Sequence, residues 1–143
     1  MSAYVINNGD SYLDFNIQKA VTWEGIYCYQ VSRSETEAVV AYGHDEGFDE
    51  ENIKWKSKKI QITDYQKISD LFSQINYFNL MQENAGHSGF DGETYICELG
   101  CIYSDSHFKV DIWCPCKNES IPETTKFLEA FEAVEKLYNE TKN

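Results

Sequence analysis

The chain has 143 residues, 42% hydrophobic and 15% aromatic, enough for one core and too few for two, so a single domain over 1–143 is expected. Ten tyrosines, eight phenylalanines and three tryptophans argue against disorder. Twenty-four acidic against 12 basic residues give a charge of -12, with Arg33 the lone arginine; that balance repels phosphate backbones and anionic membranes, so neither a nucleic-acid nor a membrane partner is expected.

The opening MSAYVINNGD has no basic start and no signal-length apolar run, and no segment approaches the ~20 apolar residues of a membrane span, so a cytoplasmic location is expected. Five cysteines, an odd number, fit a reducing compartment better than a disulfide framework. In SYLDFNIQKAVTW, Leu13, Ile17, Ala20 and Val21 have helical spacing while Leu13, Phe15 and Ile17 alternate as in a strand; a helix ended by Gly25 is preferred. Ile26 to Arg33 and the run TEAVVAYG then read as two strands joined in an antiparallel hairpin. HDEGFDEEN follows as a long acidic loop.

From Ile53 to Ile62 the apolar parity switches between Trp55 and Ile60, which predicts a strand bent near Ser57 to Lys59. Lys54, Lys56, Lys58 and Lys59 suit an edge strand guarded against sheet-to-sheet pairing. Thr63 with Gln66 forms a capping-box pattern, and Tyr65, Ile68, Leu71, Phe72 and Ile75 lie on one helical face. A glycine-rich loop, QENAGHSGFDGE, leads into ETYICELGCIYSDSHFKVDIWCPC, a predicted hairpin turning at Asp105-Ser106. That register sets Cys97 across from Cys114, Leu99 from Ile112, Cys101 from Val110, Tyr103 from Phe108 and Glu98 from Trp113. Ser120 to Glu123 is a second capping-box pattern with Pro122 in the first turn; Phe127, Phe131, Val134 and Tyr138 then form one stripe, with Leu128 and Leu137 beside it. The order implies an α+β fold: an antiparallel sheet of about five strands with two or three helices on one face. No repeat is visible.

Cys97, Cys101, Cys114 and Cys116 do not have the paired C-x2-C spacing of a thiolate zinc site. On a strand, Cys97 and Cys101 would stand about 13 Å apart. They are read as buried core thiols, with a metal site or a disulfide as alternatives. His44, His87 and His107 fall in loops or at a turn and form no nucleophile pair with an inward-facing thiol, so no catalytic residue and no cofactor are expected. Asp45, Glu46, Asp49, Glu50 and Glu51 lack the order of an EF-hand loop. They are a solvated loop or a contact surface that steers a cationic partner. On the outer hairpin face Glu98, Asp111 and Trp113, with Asp91 leading in, are candidate contacts, since tryptophan is enriched where binding energy concentrates.

The sequences SGFDGETYICELG and FKVDIWCP resemble a pattern in small bacterial proteins, in which an Asp-Gly pair precedes an aromatic and a glutamate and the next strand ends in Trp-x-Pro. The matching positions are Asp91, Gly92, Tyr95, Glu98, Trp113 and Pro115, with Tyr95 where tryptophan is commoner. The likeness covers about a third of the chain. In type the chain resembles bacterial immunity proteins, small acidic α+β domains that neutralise toxins of neighbouring cells. That resemblance implies a non-enzymatic protein binding a cognate cationic toxin or effector; the alternative is a small-molecule or metal-binding domain. Oligomeric state is left open.

Overall fold

The computed structural model describes residues 12–86, 92–100 and 107–142. Strands β1 (Asp14–Val21), β2 (Gly25–Arg33), β3 (Ala38–Asp45) and β4 (Lys54–Ile60) come first, followed by helices α1 (Ile62–Ser73) and α2 (Tyr77–Asn84). Strands β5 (Glu93–Gly100) and β6 (His107–Trp113) and helix α3 (Pro122–Glu140) complete the order. The strands form one antiparallel sheet in the order β4-β3-β2-β1-β5-β6. This is the expected α+β fold, with six strands where about five were anticipated.

The preferred helix at 13–21 is instead β1, a strand bonded on both sides, by β2 and β5. Both of its ladders are filled, which settles a segment whose short apolar run has two periods at once. Phe15 and Ile17 point to the helices, while Asp14, Asn16 and Gln18 are buried on the opposite face.

The main core lies between one sheet face and the helices. Tyr29, Val31, Val40, Cys97, Val110 and Ile112 meet Tyr65, Ile68 and Phe72 of α1 and Phe127, Phe131 and Val134 of α3. The rings of Phe72, Phe127 and Phe131 are almost wholly buried, each stabilising the fold by roughly 1.5–3 kcal/mol relative to exposure. Both predicted helical faces are therefore correct, but neither predicted capping box forms. Gln61 stands at the N-cap of α1, and Asp64 Oδ2 accepts its N–H at 3.0 Å. At α3 the Glu83 carboxylate, reaching over from α2, accepts the N–H groups of Glu123 and Thr124 at 3.0 and 2.8 Å, a negative charge placed at the positive end of the helix.

β4 is an edge strand, as its lysines suggested. The expected bend is absent, because the two parities serve two faces: Ile60 packs on the main core and Trp55 on the opposite side with Ile26, Cys28 and Ile53, in an unbroken register with β3. The other edge, β6, is closed by Asn84, whose side chain donates to Asp111 O at 3.0 Å and accepts from Trp113 N at 3.2 Å. No described helix is long and apolar enough to cross a membrane.

The last hairpin departs from the predicted register by four residues. Cys97 lies across from Val110, Leu99 from Phe108, Glu98 from Lys109, and Thr94 from Trp113. An even shift keeps every side chain on its face, so the apolar pattern is satisfied by both registers. The predicted turn Asp105-Ser106, and with it Cys101 and Tyr103, lies outside the described residues.

Candidate functional site

The strand directions bring the β1–β2 turn, the β3–β4 loop and the start of β5 and end of β6 to one end of the sheet. In the β1–β2 turn, Glu24 N–H donates to Val21 O at 3.0 Å, and Trp23 takes φ 77°. That is the third position of a type II turn, where glycine is favoured. A bulky residue held there is strained, yet the Trp23 side chain is 91% exposed, so packing against this chain does not explain it. Gly25 follows at φ 103° with the backbone of Asp45 and Glu46 pressed against it. A side chain at this glycine would separate the turn from the β3–β4 loop.

The β3–β4 loop repeats the arrangement. Phe48 takes φ 60° and is 50% exposed. Asp45 Oδ2 accepts the N–H groups of Gly47 and Asp49 at 3.0 and 2.8 Å, and Asp49 accepts from Glu51 N at 3.0 Å and Asn52 Nδ2 at 2.8 Å. These two carboxylates build the loop. The carboxylates of Glu46, Glu50 and Glu51 are exposed and form no hydrogen bond or ion pair with the described residues. The five acids expected to act alike divide into two that shape the loop and three that face solvent.

The turn is also tied to the sheet through its polar groups. Tyr27 OH donates to Glu24 Oε1 at 3.0 Å, and Tyr27 stacks on His44 with centroids 4.3 Å apart. His44 Nε2 lies 3.1 Å from Glu24 O; a carbonyl only accepts, so that nitrogen carries the hydrogen. The Glu24 carboxylate beside the phenol raises the Tyr27 pKa above its ordinary value.

Trp113 is half-buried and lies in the same lateral row of the sheet as Asp45, through Ile26, Ala20 and Thr94. Four strand spacings separate them, about 19 Å. Asp111, exposed, falls two rows further along the strand, and Glu98 two rows beyond that, opposite Lys109. The predicted Glu98–Trp113 pair therefore does not exist, and Asp91 and His87 lie outside the described residues. Trp23 and Phe48 were missed by sequence reasoning. The available signal was an aromatic within two residues of a glycine inside a polar turn, in TWEG and EGFD.

The cysteines also depart from expectation. Cys28 and Cys97 are buried, but Cys114 and Cys116 are exposed, because β6 ends at Trp113 before reaching them. Cys28 faces away from the helices and Cys97 toward them, so the sheet separates them. Burial pushes both thiols up to about 12. Among the described residues no three His, Cys, Asp or Glu side chains converge as metal ligands. No protein-family model matches the chain, and no curated protein matches it.

Proposed function

We propose that the chain is a non-enzymatic binding protein of the immunity type, and that its acidic sheet end covers a cationic toxin or effector. The observation that carries this reading is Trp23, a tryptophan kept in a left-handed turn and 91% exposed beside a loop whose outward carboxylates have no partner within the described chain. Strain of this kind persists where it serves a task outside the fold. Aromatic anchors ringed by charge are the residues on which binding energy concentrates. The outward-facing Glu46, Glu50 and Glu51 favour a basic partner and speed encounter with it. Trp113 and Asp111, two rows apart near the same sheet end, fall within the span of an interface of standard size, about 800 Å² per partner.

The reading is tested by titrating the purified protein into the purified product of the adjacent gene, and by co-expressing the two in a host that this product poisons. Saturable binding together with restored growth supports the assignment. Growth arrest that persists, with no heat of binding, refutes it.

A further inference from the structure

We infer that Cys114 and Cys116 form a reversible dithiol–disulfide pair that exchanges with small-molecule disulfides of the glutathione class. Both thiols are exposed, and both line one cleft beside Trp113, Glu83 and Thr124. The buried thiols of Cys28 and Cys97 have no such access.

The backbone prepares the closure. Cys114 takes φ 43° directly after β6, a conformation that costs a side-chain-bearing residue energy and so marks a position held for a purpose. Pro115 fixes the next φ near -65°. In extended chain the α-carbons of residues i and i+2 stand about 6.6 Å apart, at the upper limit of the 4.4–6.8 Å range of disulfides. That span is set by the backbone angles of the middle residue, Pro115, one of which its ring already fixes; the positive φ of Cys114 sets the direction in which Pro115 and Cys116 leave β6.

Cys114 is anchored at both atoms that matter. Its N–H donates to Glu93 O at 2.6 Å, and its Sγ accepts from Glu93 N–H at 3.4 Å. Gly92 makes the approach possible: a β-carbon there would collide with the Cys114 sulfur.

In the first step the Cys116 thiolate attacks a disulfide R–S–S–R, forming a Cys116–S–S–R bond and releasing R–S⁻. The Cys114 thiolate then attacks the Cys116 sulfur, closing the bridge and expelling the second R–S⁻. Two protein thiols are oxidised and one small disulfide is reduced to two thiols, which take up the two protons the protein gives away.

The test incubates the native protein in glutathione buffers of rising oxidised fraction, then alkylates and digests it with trypsin. Residues 110–117 emerge as a single peptide, VDIWCPCK, holding these two cysteines and no others. The expected product is that peptide unalkylated, lighter by two hydrogens than its reduced form, restored by dithiothreitol, with Cys28 and Cys97 still reduced. Cys114→Ser should arrest the exchange with glutathione retained on Cys116. A peptide alkylated at both cysteines in every buffer, glutathione retained on both, or a cross-link from either to another cysteine would overturn the inference.

Discussion

The two ends of the sheet use the same kinds of residue for opposite purposes. At the end where β2 turns into β3, Arg33 lies over the rings of Tyr12 and Tyr65, 4.0 and 5.5 Å from their centroids, and donates through Nε to Ser34 O at 2.9 Å. Tyr65 OH donates to Leu13 O at 2.7 Å, and Ser34 Oγ accepts the N–H groups of Thr36 and Glu37. Aromatics and polar groups there complete one another. At the opposite end Trp23 and Phe48 stand in solvent on left-handed backbone, and Glu46, Glu50 and Glu51 face outward without a partner among the described residues. A fold needs the first arrangement; the second adds no contact within the described residues, and it is the feature on which the proposed partner surface rests.

The contrast is sharpest at Tyr65. Tyr65→Ala removes a buried ring and its hydrogen bond, with an expected loss of about 3–5 kcal/mol and a fall in melting temperature on the order of 10 °C. Partner affinity of the folded fraction should stay unchanged. Asp14, buried near the same end, is a smaller probe. Burial raises its pKa to about 6, above the ordinary value of about 3.9. The folded state therefore holds the proton more tightly, and stability falls as pH rises from about 4 through 6. Asp14→Asn should remove that part of the decline, leaving the variant more stable than the parent at pH 7 and close to it at pH 4, as read from urea melts across the range.

At the acidic end the effects on stability shrink further. Asp45→Asn or Asp49→Asn weakens hydrogen bonds that close the loop and should lower stability by about 1 kcal/mol, visible as faster amide exchange at Gly47, Asp49 or Glu51. Changing Glu46, Glu50 and Glu51 together to glutamine should leave stability within about 0.5 kcal/mol. It should slow association with a basic partner at low salt, and the difference should vanish near 0.5 M, where the screening length falls to roughly 4 to 5 Å. A large stability loss in this triple variant, or equal association rates at low salt, would erase the distinction between the two ends.

The sequence made legible what depends on period and composition. The inward faces of α1 and α3, the lysine-lined edge and the two faces of the last hairpin all follow from side-chain alternation or helical spacing. Whatever depends on tertiary partners was hidden. β1 looked helical because Leu13, Ile17, Ala20 and Val21 fit that period, and only two neighbouring strands decide otherwise. The hairpin register is degenerate under even shifts, so Cys114 and Trp113 were placed by a turn rather than by the side chains that hold β6. The acidic loop was visible as charge, but not the division between carboxylates that accept backbone N–H groups and those that face solvent. Trp23 was passed over because the sign of a backbone dihedral leaves no trace in composition.

The most direct test is Trp23→Gly, with melting temperature and affinity for the adjacent-gene product measured on the same preparation. Glycine accepts the left-handed turn without strain, a relief worth on the order of 1 kcal/mol that offsets the greater freedom glycine gives the unfolded chain. The account predicts a melting temperature equal to or above that of the parent, together with a loss of about 2 kcal/mol or more in binding. A drop of many degrees with affinity intact would show that Trp23 serves the fold, and would contradict the assignment of this end to a partner.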